Sequence, residues 1–457
     1  MNFLHLSDIH FRRDYSSDIY DIDRDLRNEL ELDVGRLLPR MSPIEGILVT
    51  GDIAFAGLRE EYEIASDWLA RVCDLASCDR DKVWVVAGNH DVERHVIAKS
   101  ETLLSYHQTL RGTTDIDGQI AAFMRDGIAQ RVLFDPITHY NNFAERFNCH
   151  FNKDRPYWEQ ELELNDGSVL RLRGLNTTLI SSDSDDSAGN KLILGSIQSK
   201  PLVHSGVTYL TLAHHPPQWF RDEDQVDLNL ETRVHIQLFG HKHKQRLQNI
   251  NNTIRIVAGA VHPNRREPDW LPRYNFVSLV VSSVGNGREL TATIYPRIWS
   301  PDENKFKGDY DSNGRDERSF RLKLEAWNAP IVAASASEID ALGFLPNAAV
   351  GGNNRIESSV AVAEERAAMN KARRLAYRFY SLPYDVRLKI VETQGLIRKE
   401  DEELRGNELF NAILHRAKEE NRLSQLCDEV QAAHGDGLYS ENPFRKNSEN
   451  DKQVKDA

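Results

Sequence analysis

The chain has 457 residues, of which 40% are hydrophobic and 28% are charged. At roughly 100 to 200 residues per domain, this length predicts two or three domains and excludes one small domain. No apolar run approaches the ~20 residues that a bilayer span needs, so the composition excludes a membrane protein. The net charge of −13 argues against broad coating of nucleic acid, which needs clustered Lys and Arg.

The cysteines and the N-terminal residues indicate the cellular compartment of the protein. Four cysteines are too sparse for a disulfide scaffold, and they lack the paired spacing of a structural zinc site. The first apolar stretch begins at Phe3, which leaves no room for a signal peptide ahead of it. We therefore expect a cytoplasmic protein.

Short apolar stretches alternate with helix-spaced stretches near the start of the chain. Strands are predicted over residues 3–7, 46–50 and 83–87, and helices over residues 18–38 and 60–76. The first two strands run directly into Asp8 and Asp52. This alternation predicts βαβ units and a largely parallel sheet, and the carboxyl ends of such strands are where open α/β sheets place their sites.

The alternation of strands and helices then stops. Residues 94–165 show no obvious strand, and we interpret them as an insertion that caps the site. Strands return over residues 169–173, 207–212, 234–239, 254–257, 275–283 and 289–295. Two of them end in histidines, at His214-His215 and at His241-Lys242-His243. We predict a catalytic domain over residues 1–300.

The remainder of the chain differs in composition. Residues 301–359 are predicted to be an extension and linker, because the part from residue 329 is rich in Ala, Ser, Asn and Gly. Residues 360–435 have helical spacing and predict a small all-α domain. The polar residues 436–457 are predicted to be a disordered tail.

Five separated segments carry carboxylate, amide and imidazole groups at the ends of predicted strands. They are Asp8-Ile9-His10, Gly51-Asp52, Gly88-Asn89-His90-Asp91, His214-His215-Pro216-Pro217 and Gly240-His241-Lys242-His243. This set of oxygen and nitrogen donors without cysteine suits manganese, iron, nickel or zinc. Alternation along an extended segment would place Asp8 and His10 on one side, and the same holds for His241 and His243.

Through these five segments, in this order, residues 1–300 resemble the calcineurin-like metallophosphoesterase superfamily. The Asp52 segment lacks the further acidic residue and the arginine of the protein Ser/Thr phosphatase branch, so the sequence is more similar to the cyclic-nucleotide phosphodiesterase-like branch. The resemblance implies an α/β fold, a two-sheet sandwich with helices outside. It also implies a dinuclear metal centre above the strand ends.

The resemblance assigns roles by motif position. It implies that two divalent ions, with manganese favoured over iron, zinc or nickel, are bound by two groups of residues that share Asp52 as a bridge. The first group is Asp8, His10 and His243, and the second is Asn89, His214 and His241. Such a pair of ions would clamp the phosphoryl oxygens and activate a bridging water.

The catalytic assignment rests on the third segment. His90 is expected to be the catalytic imidazole that protonates the leaving alkoxide, and Asp91 is better placed to orient its loop than to bind metal. Arg12, Arg13 and His215 are candidates for substrate contact, since an arginine can steer a phosphate. A solvated or packing role remains open for all three, and a structural role is expected for His5 and His262.

The C-terminal domain has a resemblance of its own. Residues 373–434 resemble the effector-associated, death-like adaptor domains of bacterial conflict systems, on residues 380–391 (YSLPYDVRLKIV), 395–397, 408–411 and 423–430. The resemblance implies recruitment of a protein partner and an effector role in defence or signalling. A helical bundle that packs on the catalytic domain or forms a homodimer is the alternative.

The expected function is therefore a metal-dependent phosphodiesterase that hydrolyses a nucleotide or nucleic-acid phosphate ester. A DNA or RNA nuclease is the first alternative, although the acidic charge disfavours duplex DNA and leaves single-stranded substrates open. An inactive scaffold for protein interaction is the second. The scaffold is disfavoured because every expected ligand position is filled.

Overall fold

A computed structural model of the chain describes residues 1–13, 21, 23–152, 154, 156–183, 185, 191–264, 271–284, 287–327, 371–401, 404, 406–435 and 442–444. The chain divides into two compact units, Met1–Asn328 and Ala329–Ala457. The predicted linker over residues 329–359 lies outside the described residues, as does the predicted tail except for residues 442–444.

Thirteen strands and nine α-helices are described in the first unit. The strands are β1 (Asn2–Leu6), β2 (Ile44–Val49), β3 (Val83–Val85), β4 (Tyr157–Glu163), β5 (Val169–Leu175), β6 (Val207–Ala213), β7 (Ile236–Phe239), β8 (Arg246–Ile250), β9 (Thr253–Val257), β10 (Arg273–Val284), β11 (Gly287–Ser300), β12 (Lys305–Gly308) and β13 (Arg318–Leu324). The helices are α1 (Arg24–Met41), α2 (Arg59–Ala76), α3 (Arg94–Lys99), α4 (Glu101–Gly112), α5 (Ile116–Arg125), α6 (Gly127–Phe134), α7 (Thr138–Ala144), α8 (Ser196–Ser199) and α9 (Glu223–Arg233).

The strands form two mixed sheets. The first has the order β12-β11-β10-β1-β2-β3, with β13 also paired to β11, and the second has the order β4-β5-β6-β7-β9-β8. Parallel pairing is confined to β1, β2 and β3 in the first sheet and to β5, β6, β7 and β9 in the second. The predicted two-sheet α/β architecture is confirmed, and its sheets are parallel only in part because antiparallel strands extend both of them.

Local sequence explains the elements that approach the site. Strands β1 and β2 are apolar on both faces, as expected of parallel strands covered on both sides. Helix α2 buries Tyr62, Ala65 and Leu69 at helical spacing, which turns one apolar face toward the sheet. This packing fixes the ends of the strands, where the residues of the site begin.

Two predictions from the sequence differ from the structure: the absence of a strand from the insertion and the end of the catalytic domain. The insertion at residues 94–165 is helical through α7, but it also contains β4, whose buried face carries the polar Gln160 beside Trp158 and so lacks a clear apolar alternation. The predicted catalytic boundary at residue 300 is too early, because β12 and β13 pair with β11. Their many charged residues made this stretch look like a hydrophilic extension.

The second unit is helical in the part that the structure describes. It contains helical residues 371–380 (α10), α11 (Tyr384–Thr393), α12 (Gly406–Glu419) and α13 (Leu423–His434). Phe379, Val391 and Phe410 are fully buried in its own apolar core. Arg416 binds Asp401 through two hydrogen bonds, of 2.6 Å and 2.9 Å. Among the described helices of both units, none combines the length and apolarity needed to cross a membrane.

Candidate metal centre

The five strand-end segments meet at one place in the first unit. They follow β1, β2 and β3 of the first sheet and β6 and β7 of the second. The backbone N–H of Asp8 donates to the carbonyl of Gly51 at 3.0 Å, and that of Gly240 donates to the carbonyl of His214, also at 3.0 Å. Hydrogen bonds between neighbouring loops therefore hold the side chains of these segments together.

Asp8, His10 and His243 form the first group of donors. One ligand atom from each residue lies within 4.8 Å of the other two. Ser7 Oγ and the backbone N–H of His241 donate to Asp8 Oδ2. The other oxygen, Asp8 Oδ1, is buried without a hydrogen bond and lies 3.3 Å from His243 Nε2. A cation would satisfy this buried oxygen.

Asn89, His214 and His241 form the second group. Asn89 Oδ1 lies 3.1 Å from His214 Nε2 and 2.9 Å from His241 Nδ1, and the two ring nitrogens are 3.3 Å apart. His214 Nδ1 lies 2.8 Å from the carbonyl oxygen of Thr50, so Nδ1 carries the proton and donates it. His214 Nε2 therefore faces the group, and its lone pair is available to a metal once Nε2 has lost its proton, as in histidines that bind metals.

Asp52 lies between the two groups. Its Oδ1 accepts a hydrogen bond from the backbone N–H of His90 at 2.8 Å. Its Oδ2 lies 3.4 Å from His214 Nε2 and 3.9 Å from His10 Nε2. One carboxylate oxygen thus faces a donor from each group, which is the position that a bridging ligand requires.

The backbone at these residues differs from the expectation of extended segments. Asp8, His10, Asp52, His241 and His243 all have positive φ, between 52° and 71°. The alternation argument is therefore wrong, although the structure does bring Asp8, His10 and His243 together. Left-handed backbone at a non-glycine residue costs about 1–3 kcal/mol, so strain is concentrated at this site.

Two motif glycines permit close approach. A Cβ atom at Gly88 would lie 2.1 Å from Asp52 Oδ1, and one at Gly240 would lie 2.3 Å from Ser7 Oγ. Both distances are below any tolerable contact. The glycines are therefore needed so that the loops can pack directly against Asp52 and against Ser7, which in turn binds Asp8.

His90 and Asp91 have different environments. His90 Nδ1 donates to the carbonyl of Phe55 at 2.7 Å, which leaves Nε2 as the ring nitrogen available for chemistry. Its ring centroid lies 4.7 Å from that of His10. Asp91 is fully buried and accepts hydrogen bonds from three backbone N–H groups and from the Tyr62 hydroxyl. Asp91 is thus a positioning residue for the loops that carry Asp52 and His90.

The charges of the metal-free site follow from burial and from neighbouring groups. Burial lowers the pKa of His10 and of His241 to about 3, so both rings are neutral. Burial would raise the pKa of Asp52, but the neighbouring His214 lowers it well below its usual range. Burial opposes protonation of His214, but the negative charge of Asp52 raises the pKa of His214 to about 9. Burial, with a further contribution from Asp52, raises the pKa of Asp91 to about 7.

The three residues that are candidates for substrate contact have different environments. The Arg12 guanidinium lies 3.5 Å above the centre of the Phe55 ring, next to the residue whose carbonyl binds His90. Arg13 is exposed. His215 is fully buried with its Nδ1 2.9 Å from Thr177 Oγ1, which favours a positioning role over substrate contact. His215 also lies close enough to His214 and His241 to count as a further donor to the second group.

The two histidines expected to be structural are both buried and hydrogen-bonded. His5 Nε2 lies 3.1 Å from Thr50 Oγ1, and His262 Nδ1 donates to the carbonyl of Ile9 at 2.6 Å. These contacts fix loops beside the site and leave no surface for a substrate.

Several supporting residues were missed by the sequence analysis. Ser7 holds Asp8, Tyr62 holds Asp91, and Thr177 contacts His215. Trp219 lies edge to face with His241, with ring centroids 4.2 Å apart. Adjacency to a motif could have indicated Ser7 and Trp219, whereas Tyr62 and Thr177 come from distant segments and carry no local signal.

Two family models match separate parts of this chain. The family model described as calcineurin-like phosphoesterase matches residues 1–245, and the one described as GTPase-associated adaptor domain matches residues 371–432. The resemblances to a phosphoesterase and to an adaptor domain are thereby confirmed. No curated protein matches the chain.

The solved structures that the comparison found are distant in sequence. A single mutant of Vps29 from Entamoeba histolytica is 11% identical over 71% of this chain and 100% of its own, with a TM-score of 0.28. A predicted phosphoesterase from Streptococcus pneumoniae is 10% identical over 71% of this chain and 97% of its own, with a TM-score of 0.26. A putative 5′-nucleotidase from Staphylococcus aureus is 11% identical over 74% of this chain and 56% of its own, with a TM-score of 0.28. These low scores support no statement about function.

Proposed function

Since this chain belongs to the calcineurin-like phosphoesterase family, we propose that it is a dinuclear metal-dependent phosphodiesterase acting on a nucleotide or nucleic-acid phosphate ester. The observation that carries the proposal is the position of Asp52 Oδ2, which faces a nitrogen donor from each of two separate groups. A single-metal site would not need a shared carboxylate.

The donors suit two divalent ions. Asp8, His10 and His243 would hold one ion, Asn89, His214 and His241 would hold the other, and Asp52 would bind both. Two such ions would supply Lewis-acid chemistry, since they would withdraw charge from phosphoryl oxygens and lower the pKa of water enough to give nucleophilic hydroxide near neutral pH. Mixed carboxylate, amide and imidazole donors suit manganese, iron, zinc and nickel, of which manganese is the metal that we propose.

His90 is the proposed general acid. Its Nδ1–H is engaged with the Phe55 carbonyl, so a second proton on the ring resides at Nε2. Transfer of that proton to the leaving alkoxide returns the ring to the tautomer that the hydrogen bond to Phe55 already selects. Arg12, fixed over the Phe55 ring, is the residue best placed to steer the substrate's phosphate.

An inactive scaffold is the main competitor from another class. A scaffold has no need for a buried, unsatisfied oxygen on Asp8 or for positive φ at five neighbouring site residues. These costly features support a metal-binding role. A nuclease would be a specific form of the proposed phosphodiesterase. Hydrolysis of long nucleic acids, as opposed to single nucleotides, would identify a nuclease.

The helical unit is proposed to recruit a protein partner through residues 360–435. The adaptor-domain match and a separate apolar core support this role. The partner would be a protein with a similar domain, and the assembly would serve bacterial defence or signalling, with the phosphodiesterase as its effector. A homodimer is the competing outcome. We place this assembly in the cytoplasm, which the sparse cysteines support.

The reaction is tested with metal-stripped full-length protein. Manganese should restore hydrolysis of bis(p-nitrophenyl) phosphate more than that of p-nitrophenyl phosphate, with zinc, iron and nickel as parallel additions. Asp52→Asn is the negative control. No hydrolysis of either ester with any of the metals would count against the proposal, and exclusive monoester hydrolysis would replace the diesterase by a phosphatase.

A further inference from the structure

A cavity of about 650 Å³ opens beside the first donor group in the first unit. His243 lines it together with Lys244 and Gln245, so the cavity borders one donor residue of the candidate metal centre. Its opposite wall comes from strands β10, β11 and β13 and from Asp309. Those residues lie beyond residue 245, outside the region that the phosphoesterase family model matches.

Among the described residues that line the cavity, more side chains are positively charged than negatively charged. Lys244, Arg273 and Arg318 face it with the carboxylate of Asp309. Arg273 Nη1 lies 2.5 Å from Asp309 Oδ2 and 3.2 Å from Gln245 Oε1, so this pair is neutral and fixes the wall. Among the described lining residues, Arg318 carries a positive charge that this ion pair does not offset, in a chain with a net charge of −13.

Arg318 is held in place without an ion pair of its own in the described part of the chain. Its guanidinium donates to the carbonyl oxygens of Arg315 at 3.0 Å, Glu317 at 3.1 Å and Asp309 at 3.2 Å. Carbonyl oxygens fix the orientation of the guanidinium, but they do not neutralise its charge. A fixed guanidinium of this kind is suited to a phosphate.

An apolar surface lies next to these cations. Leu247, Leu271, Pro296 and Phe320 line the same cavity. Its volume falls within the range of about 300–1,000 Å³ that small-molecule sites occupy. A planar nucleobase can stack on an aromatic ring such as that of Phe320.

We propose that this cavity binds the nucleotide unit next to the scissile phosphodiester, with a second phosphate on Arg318 and a base on Phe320. The substrate class is then a dinucleotide or oligonucleotide that carries a phosphate beyond the one that is cleaved. Its role in turnover rests on the proposed function, whereas binding in the cavity does not.

The test is calorimetric binding of two probes to full-length, metal-free protein. The probes are the dinucleotide ApA and its 5′-phosphorylated form, pApA. The natural chain should bind pApA about tenfold more tightly than ApA, since a charge-assisted hydrogen bond contributes at least that much. Arg318→Gln should abolish this preference by weakening pApA alone, and Phe320→Ala should weaken both probes about tenfold.

Arg321→Gln is the matched control, because Arg321 is exposed on the same strand and pairs with Glu289 outside the cavity. It should bind both probes as the natural chain does. The proposal is wrong if pApA and ApA bind the natural chain equally or not at all. It is also wrong if Arg318→Gln weakens both probes alike or neither of them.

A second assay separates this proposal from the reaction itself. Bis(p-nitrophenyl) phosphate lacks a second phosphate, so the natural chain should hydrolyse it with manganese, and the control variant Arg321→Gln should do so at the same rate. Absence of hydrolysis with an intact preference for pApA would refute the reaction and leave the cavity assignment standing. Normal hydrolysis without any preference for pApA would refute the cavity assignment alone.

Discussion

Replacement of Asp91 tests how the loops of the site are held. The Asp91 carboxylate accepts from the N–H of Ala54 at 2.9 Å and the Tyr62 hydroxyl at 2.9 Å through Oδ1. Its Oδ2 accepts from the N–H of Gly88 at 2.8 Å and of Ile53 at 3.2 Å. Every partner of this buried group is therefore a donor.

In the Asp91→Asn variant, the new amide NH₂ must face one of these two pairs of donors. Two donors that were satisfied lose their acceptor, at a cost of about 1–3 kcal/mol each. Relief of repulsion with Asp52, which contributes to the raised pKa of Asp91, offsets part of this cost. We expect a net loss of about 2–4 kcal/mol, which is a large fraction of typical domain stability.

Chemical denaturation of metal-free protein measures this loss, and diester hydrolysis with manganese measures its effect on the site. Turnover should fall at least about a hundredfold, because a misplacement of about 1 Å has that effect. Tyr62→Phe is the matched control, since it removes only one donor and should cost about 1 kcal/mol. An Asp91→Asn variant with natural stability and turnover would refute the positioning role.

Three further predictions concern individual groups. His90→Ala should retain its metals and lose most turnover of an ester with a poor leaving group, and full turnover with a normal metal content would remove His90 from the acid role. Gly88→Ala should lower metal content, because its Cβ would lie 2.1 Å from Asp52 Oδ1, and unchanged elemental analysis would contradict this. With the pKa of His214 at about 9, metal binding must displace a proton, so affinity should rise from pH 7 to 9 by up to about tenfold per unit. Calorimetry in buffers of different ionisation enthalpy should show the proton released, and pH-independent affinity would refute the His214–Asp52 ion pair.

The positions of the donors along the chain were predictable because parallel strands end at one edge of a sheet. Asp8, Asp52 and Asn89 follow three neighbouring strands, and His214 and His241 follow two strands of the other sheet. The order of the motifs and their residue types were therefore sufficient to predict that these donor side chains meet at one place. The local backbone was not predictable, because positive φ at non-glycine residues is imposed by contacts between loops and not by local preference.

The sequence analysis missed two strands, β4 and β13, and one long-range contact beside the site. Strand β4 carries Gln160 inward, where its side chain donates to the carbonyls of Phe147 and Asn148. Strand β13 alternates Phe320, Leu322 and Leu324 with exposed polar side chains, a period of two that the sequence analysis missed. Long-range partners such as Thr177 beside His215 leave no trace in spacing, since the two residues are 38 positions apart.

The most direct test of the dinuclear centre is elemental analysis of the full-length protein after reconstitution with manganese and removal of free metal. The natural chain should hold two ions per chain, and Asp52→Asn should hold fewer than one, because both groups lose their shared oxygen ligand. Natural chain with no more than one ion, or an Asp52→Asn variant that still holds two, would contradict the bridging role of Asp52 and with it the proposed centre.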